Sequence, residues 1–219
     1  VRAIADLAHA AGALMHVDAA QAVGKVAVDV NALGADLLTL AGHKFYAPKG
    51  VGALYVRTDV AIEPIQYGAS HEHGLRPGTE NVPHIVALGE AARLARAALT
   101  QDAARMTVLR DRLHGRLAAG IPGLRLNGHP TERLPNTLNL SFPAVAGWQL
   151  LAAAPSVAAS TGSACHAGEH AVSGVLAAMG LTREAAAGAV RLSLGRFTTE
   201  AEIDSAAAAL IDAWQSLAA

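Results

Sequence analysis

The chain has 219 residues, of which 52% are hydrophobic and 16% charged, enough to bury a sizeable core in one or two domains. Its 17 basic and 18 acidic residues nearly balance, and no Lys/Arg cluster indicates a nucleic-acid partner or an anionic membrane surface. No uncharged run approaches bilayer-spanning length, and the N-terminus lacks a signal-peptide pattern. We therefore expect a cytoplasmic protein without a membrane partner.

The first hundred residues alternate short apolar runs with helical and turn patterns. A helical pattern over 1–11 precedes the run ALMHV, which ends at Asp18, and further apolar runs follow at 36–41 and 51–57. Short buried strands between helices are typical of a parallel sheet with both faces covered. We expect the three runs to be strands of one such sheet. Because Val1 stands in place of an initiator Met and the sequence opens within a helical pattern, we also expect a truncated N-terminus.

The sequence pattern changes in the second half. A long helix is expected from Val82-Pro83 toward Gly120, and Thr79 is expected to cap it. Beyond it we expect strands at LRLNG, TLNLSF and PSVAAS, and helices at 146–153, 170–179 and 199–217. Thr199 and Glu202 form a capping-box pattern for the last helix. The fold class predicted is α/β, with a mainly parallel sheet domain at 1–98 and a smaller α+β domain at 99–219.

Two charged residues lie at the carboxyl ends of predicted strands, which is where open α/β sheets bind ligands. Asp18 ends one strand and Lys44 follows another. A carboxylate can keep a pyridine nitrogen protonated, and a desolvated lysine amine with a lowered pKa can form an imine with an aldehyde. The pair fits pyridoxal phosphate, although a strand-end Asp and an unrelated surface Lys would give the same pattern.

The sequences around these residues narrow the alternatives. HVDAAQAVGK at 16–25 and AGHKFYAPKGVGALYVR at 41–57 resemble the cofactor motifs of cysteine desulfurases in the class V aminotransferase family. The resemblance implies the C-terminal part of a fold-type I pyridoxal-phosphate-dependent transferase, without the N-terminal half of its cofactor domain. The cofactor-binding positions it implies are Asp18, Gln21, Ala41, Gly42, His43 and Lys44.

Each position carries an expected role by this resemblance. Lys44 is the Schiff-base lysine, Asp18 binds the pyridine nitrogen, Gln21 binds the phenolic oxygen, and His43 lies near the phosphate. Many relatives have Ser where this chain has Ala41, so one phosphate hydrogen bond is expected to be absent or replaced.

A loop segment, GLRPGTENVPH at 74–84, resembles the family segment whose threonine reaches the phosphate of the partner subunit's cofactor. Thr79 takes that position, which implies a homodimer with active sites at the subunit interface. The alternative is an ordinary loop that ends in a helix cap.

The single cysteine cannot form an internal disulfide, so Cys165 is either a small buried hydrophobic residue or a reactive thiol. ASTGSACHAG at 159–168 resembles the mobile loop of the desulfurases, with Cys165 as the sulfur-accepting nucleophile. In AVRLSLGRFTTEAEID at 189–204, the resemblance assigns Arg191 to the substrate carboxylate. No His or Cys spacing predicts a metal site, and an iron–sulfur contact through Cys165 is left open.

The resemblance implies a reaction that converts L-cysteine to L-alanine and leaves a persulfide on Cys165. The partners implied are L-cysteine, a second subunit, and a sulfur-acceptor or iron–sulfur scaffold protein. Two alternatives stay open: a selenocysteine lyase, and a catalytically incomplete piece that acts as a binding or scaffold module because half of the family's pocket lies upstream of Val1.

Overall fold

A computed structural model describes residues 1–161 and 173–219. Its contacts divide the chain into two compact units, Val1–Leu99 and Thr100–Ala219. The assignment of a cofactor domain to 1–98 and a smaller domain to 99–219 stays a prediction. The described residues form these helices and strands in chain order: α1 (Arg2–Ala10), β1 (His16–Asp18), α2 (Val30–Leu33), β2 (Leu37–Ala41), β3 (Gly52–Val56), α3 (Val82–Gly120), β4 (Arg125–Leu126), β5 (Thr137–Ser141), α4 (Gly147–Ala153), α5 (Gly174–Ala178), α6 (Arg183–Ala187), β6 (Ala189–Ser193) and α7 (Glu200–Ala218).

The first unit contains a three-stranded sheet in the order β1-β2-β3. Strands β1 and β2 are parallel, but β3 pairs with β2 in the antiparallel direction, so the expectation of a parallel strand was wrong for the third run. Only the residues 42–51 connect β2 to β3. A parallel crossover needs a dozen or more residues. Because this connection is shorter, β3 returns in the antiparallel direction.

Small apolar residues fill the first unit. One cluster is built from Val17, Ala19, Ala35 and Leu38, and it joins β1 to β2. A second cluster centres on Phe45, which packs with other side chains of the first unit. The three predicted strands therefore form, but the expectation of buried strands was wrong for β3, where residues 52–54 are exposed.

The long helix α3 runs from Val82 to Gly120, as its pattern predicted. Its capping residue is Asn81 rather than Thr79, because the Asn81 side-chain oxygen accepts a hydrogen bond of 3.3 Å from the amide of His84. Asn and Thr are both good capping residues, and the helix begins too late for Thr79 to reach its first free amides. The Thr79 cap was therefore a wrong prediction.

The second unit contains an antiparallel sheet in the order β4-β5-β6. Alternate residues of β5 and β6 face a core shared with the helices of this unit, and period-2 alternation is what a half-buried strand requires. The largest fully buried side chains of that core are Leu117, Ile121, Leu138, Leu140, Phe142, Leu150, Val190 and Leu210.

The elements flanking this sheet agree with the sequence in part. Thr199 and Glu202 form the predicted capping box at the start of α7. The expected strand at PSVAAS was wrong, since only Ser160 makes an isolated bridge, to Arg191. Of the helix expected at 170–179, the described part is Gly174–Ala178.

Candidate functional site

The turn that carries Lys44 follows β2 directly. Residues Gly42–Phe45 form one 3₁₀ turn, and Tyr46 ends it in the left-handed conformation with φ 74°. A Cβ on Gly42 would lie 2.8 Å from the carbonyl oxygen of Val51, so only glycine fits where the turn crosses the start of the next strand. The turn therefore has a fixed place at the carboxyl end of β2.

The segment after β1 packs onto this turn. The amide of Ala19 donates to the carbonyl of Thr39 at 2.9 Å, which extends the β1–β2 pairing past Asp18. Further along, Gly24 approaches Phe45 so closely that a Cβ would lie 3.0 Å from the Phe45 Cβ. The two sequence motifs thus form one local structure.

Asp18 and Lys44 both lie at the carboxyl end of the parallel pair, as predicted from the strand ends. One oxygen of the Asp18 carboxylate accepts a hydrogen bond of 2.9 Å from the amide of Ala20, and this bond orients the side chain. The side chains of Asp18, Gln21, His43 and Lys44 are exposed. Carboxylate, amide, imidazole and amine groups are therefore exposed on the two segments that follow β1 and β2.

Lys44, the lysine that was expected to be desolvated, is more exposed than Lys25. Lys44 is exposed, whereas Lys25, at the end of the segment after β1, is half-buried. Burial lowers the pKa of Lys25, and the neighbouring charge of Lys44 lowers it further. The ammonium of Lys25 donates a hydrogen bond of 2.9 Å to the main-chain carbonyl of Lys44.

Thr79 lies in an exposed loop of the first unit, before α3. Within the described residues, none of the hydrogen bonds found joins Thr79 to the turn that carries Lys44. Its neighbour Arg76 donates to the carbonyl of Pro77 at 2.8 Å, a contact within the loop itself. The loop therefore presents Thr79 to solvent, away from the hydrogen bonds of the sheet.

Arg191 belongs to the second unit, where β6 holds it opposite Asn139 of β5. Residues directly opposite in an antiparallel pair point to the same face of the sheet, so these two side chains are neighbours. Asn127 donates a hydrogen bond of 2.7 Å to the side-chain oxygen of Asn139. The Arg191 main chain is held on its other side, where its amide donates to the carbonyl of Ser160 at 2.7 Å.

Cys165 lies outside the described residues. Among those that are described, no three His, Cys, Asp or Glu side chains are grouped as metal ligands. Nor does any described helix combine the length and apolar character needed to cross a membrane.

Sequence reasoning missed two features of these sites. Lys25 closes the motif at 16–25 but received no role, although it is one of only three lysines in the chain. Asn127 and Asn139, which adjoin Arg191 on one sheet face, were also missed. A polar residue at an alternating position within the apolar strand TLNLSF was the available signal for Asn139.

Known proteins resemble this chain over most of its length. Cysteine desulfurase 2 of Trichormus variabilis is 50% identical over 196 residues, which are 89% of this chain and 49% of that protein. Cysteine desulfurase IscS of Pseudomonas aeruginosa is 44% identical over 219 residues, 99% of this chain and 54% of that protein. The chain thus spans about half the length of the curated relatives it matches.

Solved structures give the same fold. The X-ray structure of a NifS-like protein from Rickettsia africae superposes with a TM-score of 0.86 at 27% sequence identity, covering 99% of this chain and 56% of that one. The fold is therefore α/β and corresponds to the C-terminal part of a fold-type I pyridoxal-phosphate-dependent transferase, as expected. Residues 1–205 match the family Aminotransferase class-V, so the chain belongs to the class V aminotransferase family.

Proposed function

We propose that the protein is a pyridoxal-phosphate-dependent cysteine desulfurase, which converts L-cysteine to L-alanine and keeps the sulfur as a persulfide on Cys165. The observation that carries this proposal is the packing of the Asp18 segment onto the Lys44 turn at one end of the parallel strands. The names of the relatives at 44% to 50% identity support cysteine as the substrate.

The groups at this end of the sheet fit the proposed cofactor. The carboxylate of Asp18, oriented by the Ala20 amide, suits a protonated pyridine nitrogen. The exposed amine of Lys44 can bond to an aldehyde carbon, and the exposed imidazole of His43 can donate to a phosphate oxygen. Gln21 would bind the phenolic oxygen, and Ala41 and Gly42 would lie against the cofactor, with the Gly42 amide and carbonyl already hydrogen-bonded within the first unit.

The bound cofactor would supply an electron sink that stabilises negative charge at the substrate α-carbon. Lys44 would carry the protons to and from that carbon, and Arg191 would hold the substrate carboxylate through two parallel hydrogen bonds. The thiolate of Cys165 would attack the substrate sulfur, so that an S–S bond forms while the carbon–sulfur bond breaks. Protonation of the carbon fragment completes alanine, and the sulfur then passes to an acceptor or iron–sulfur scaffold protein.

Covalent trapping tests the cofactor assignment. The protein is purified in the form that its natural host makes and is incubated with pyridoxal phosphate. It is then reduced with borohydride, and the modified residue is located by mass spectrometry. We expect the reduced adduct at Lys44 and its loss in Lys44→Ala. Lys49 is the matched control, because it is exposed and lies five residues further along the chain. An adduct that survives in Lys44→Ala would refute the assignment.

Replacement of the thiol tests the sulfur chemistry. Cys165→Ser keeps the side-chain size, but its hydroxyl is barely ionised at neutral pH. We expect the Lys44 adduct to persist while alanine release from cysteine collapses. Release at the wild-type rate would remove Cys165 from the mechanism. Turnover retained only with selenocysteine would favour the lyase, and no adduct in the wild-type protein would favour a scaffold module.

We also propose that Thr79 binds the phosphate at the partner subunit's site in a homodimer. Its exposed loop supports this, since the side chain is accessible from outside the first unit. Mixed dimers of Lys44→Ala and Thr79→Ala subunits test the idea. If Thr79 acts across the interface, one site of each mixed dimer has both residues and activity returns. Mixed dimers no more active than either parent would place Thr79 in its own subunit's site or in neither.

A further inference from the structure

The half-buried ammonium of Lys25 sits against the turn that carries Lys44. Its Nζ donates a hydrogen bond of 2.9 Å to the main-chain carbonyl of Lys44. The approach depends on Gly24, which has φ 75° and lies so close to Phe45 that a Cβ would be 3.0 Å from the Phe45 Cβ. The backbone therefore delivers Lys25 to this carbonyl by a conformation that favours glycine.

The carbonyl of Lys44 needs a partner. In the 3₁₀ turn Gly42–Phe45, the amide of Ala47 is bound to the carbonyl of Gly42. The carbonyls near the end of a helical turn have no partner within the turn, so side chains, water or ligands must bind them. Lys25 supplies a charged donor, which makes a stronger bond than a neutral one.

A purely structural role explains this arrangement poorly. Burying an ammonium is costly unless it is paired, and none of the ion pairs found among the described residues includes Lys25. The pKa of Lys25 is lowered by its burial and then by the charge of Lys44, so the two lysines disfavour each other. A neutral donor would hold the carbonyl at lower cost, so the stronger bond that a charged donor makes is what distinguishes Lys25 at this carbonyl.

We propose that Lys25 is a positioning residue for Lys44, holding its main-chain carbonyl so that the turn presents the Lys44 amine at the carboxyl end of the parallel strands. The inference rests on the proposed function, because it gives Lys44 a reaction to perform. It adds a residue to the site that acts through Lys44 rather than by touching substrate.

Three variants test this role, each made in the form of the protein that its natural host makes. Lys25→Met keeps the apolar stem but removes the donor and the charge, and Lys25→Arg keeps both. Lys49→Met is the matched control at an exposed lysine. The readouts are circular dichroism in the absorbance band of the bound cofactor, the rate of borohydride trapping at Lys44, and kcat and KM for cysteine.

We expect Lys25→Met to slow trapping and lower kcat by roughly ten- to a hundredfold, the scale of a misplaced reactive group, with KM nearly unchanged. Its cofactor dichroism should change, Lys25→Arg should recover most of the rate, and Lys49→Met should match the wild type. Without cofactor, Lys25→Met should also speed amide hydrogen exchange of Tyr46 and Ala47, whose amides close the turn on Gly42.

The outcomes separate this inference from the proposed function. Wild-type dichroism, trapping, kcat and exchange in Lys25→Met would overturn the positioning role while the Lys44 adduct stands. Loss of rate that Lys25→Arg does not recover would also overturn it. An adduct that forms without Lys44 would instead overturn the proposed function. If Lys25→Met does not fold, Lys25→Ala, which also lacks a donor, is measured in its place, and a wild-type trapping rate in that variant overturns the role.

Discussion

The buried carboxylate of Asp36 accepts a hydrogen bond of 2.6 Å from the main-chain amide of Met15. The same oxygen lies 2.9 Å from His9 Nε2, at the end of α1. The other oxygen lies 2.6 Å from Nη1 of Arg57, just after β3. One carboxylate therefore joins the end of a helix to the beginning of one strand and the end of another, and these strands support the candidate site.

Asp36→Asn should destabilise the first unit, because it removes the charge opposite Arg57 and replaces an acceptor oxygen with a donor in a buried place. Asp59→Asn is the matched control, since Asp59 also pairs with Arg57 but is 70% exposed. We expect a clearly larger fall in the urea midpoint for Asp36→Asn. Equal falls for the two variants would show that burial of Asp36 does not matter.

The contribution of Asp36 should depend on pH. The hydrogen bond from Met15 lowers the pKa of Asp36 below its ordinary value, and the hydrogen bond from His9 and the charge of Arg57 act in the same direction. The unfolded chain then takes up the proton at a higher pH than the folded chain, so the stabilisation is present above the ordinary aspartate pKa of about 3.9. It is lost as pH falls through the folded-state pKa.

Urea midpoints of the wild type and Asp36→Asn, measured from neutral pH into the acid range, check this dependence. The difference between the two proteins should shrink as the pH falls below about 5. The other carboxylates are common to both proteins, so their contributions to the pH dependence of stability cancel in this difference. A difference that grows on acidification would contradict the assignment.

Gly42→Ala should disturb the turn that carries Lys44. The added Cβ would lie 2.8 Å from the Val51 carbonyl and 2.9 Å from a methyl group of Leu88, and the carbonyl belongs to backbone that cannot move freely. We expect a loss of about 1–3 kcal/mol, typical of overpacking, and a weaker borohydride adduct at Lys44.

Gly89→Ala is the control for that change, because Gly89 lies in α3 and its Cβ would meet nothing within 4 Å. Alanine favours helix over glycine, so the control should be neutral or stabilising by up to about 1 kcal/mol. Denaturation midpoints of the two variants and adduct yields give the comparison. Equal stability in both would mean that the turn yields to the extra methyl group.

Local patterns predicted the elements whose signals are contained in a few residues. The capping box of Thr199 and Glu202 is complete within one turn of helix, and it formed as predicted. The direction of β3 depends instead on which strand it pairs with and how many residues connect them. PSVAAS shows the same limit, because extended apolar residues become a strand only where a neighbouring strand is available along their length.

The candidate site was likewise predictable from the sequence only in part. Strand ends and motifs indicated that Asp18 and Lys44 lie at one end of a sheet, and the parallel pairing of β1 with β2 brings them there. Lys25 could not be predicted, because its contact with the Lys44 carbonyl depends on how the segment after β1 folds onto the turn. That tertiary packing, rather than either motif, makes Lys25 half-buried and leaves Lys44 exposed.

Arg191→Lys should weaken the binding of cysteine more than it weakens the bonding of the cofactor. Lysine keeps the positive charge but lacks the planar fork that makes two parallel hydrogen bonds to a carboxylate. One hydrogen bond to a charged group is worth about 1.5–3 kcal/mol, so we expect KM for cysteine to rise roughly ten- to a hundredfold. The borohydride adduct at Lys44 should be unchanged, because the cofactor carries no group assigned to Arg191.

Arg125→Lys is the matched control: Arg125 lies opposite Ser141 on β5, which places it on the same sheet face as Arg191 but at the other edge strand. That variant should keep the wild-type KM. Equal rises in KM for both variants would indicate a general effect of charge geometry on this face, and an unchanged KM in Arg191→Lys would remove Arg191 from carboxylate binding.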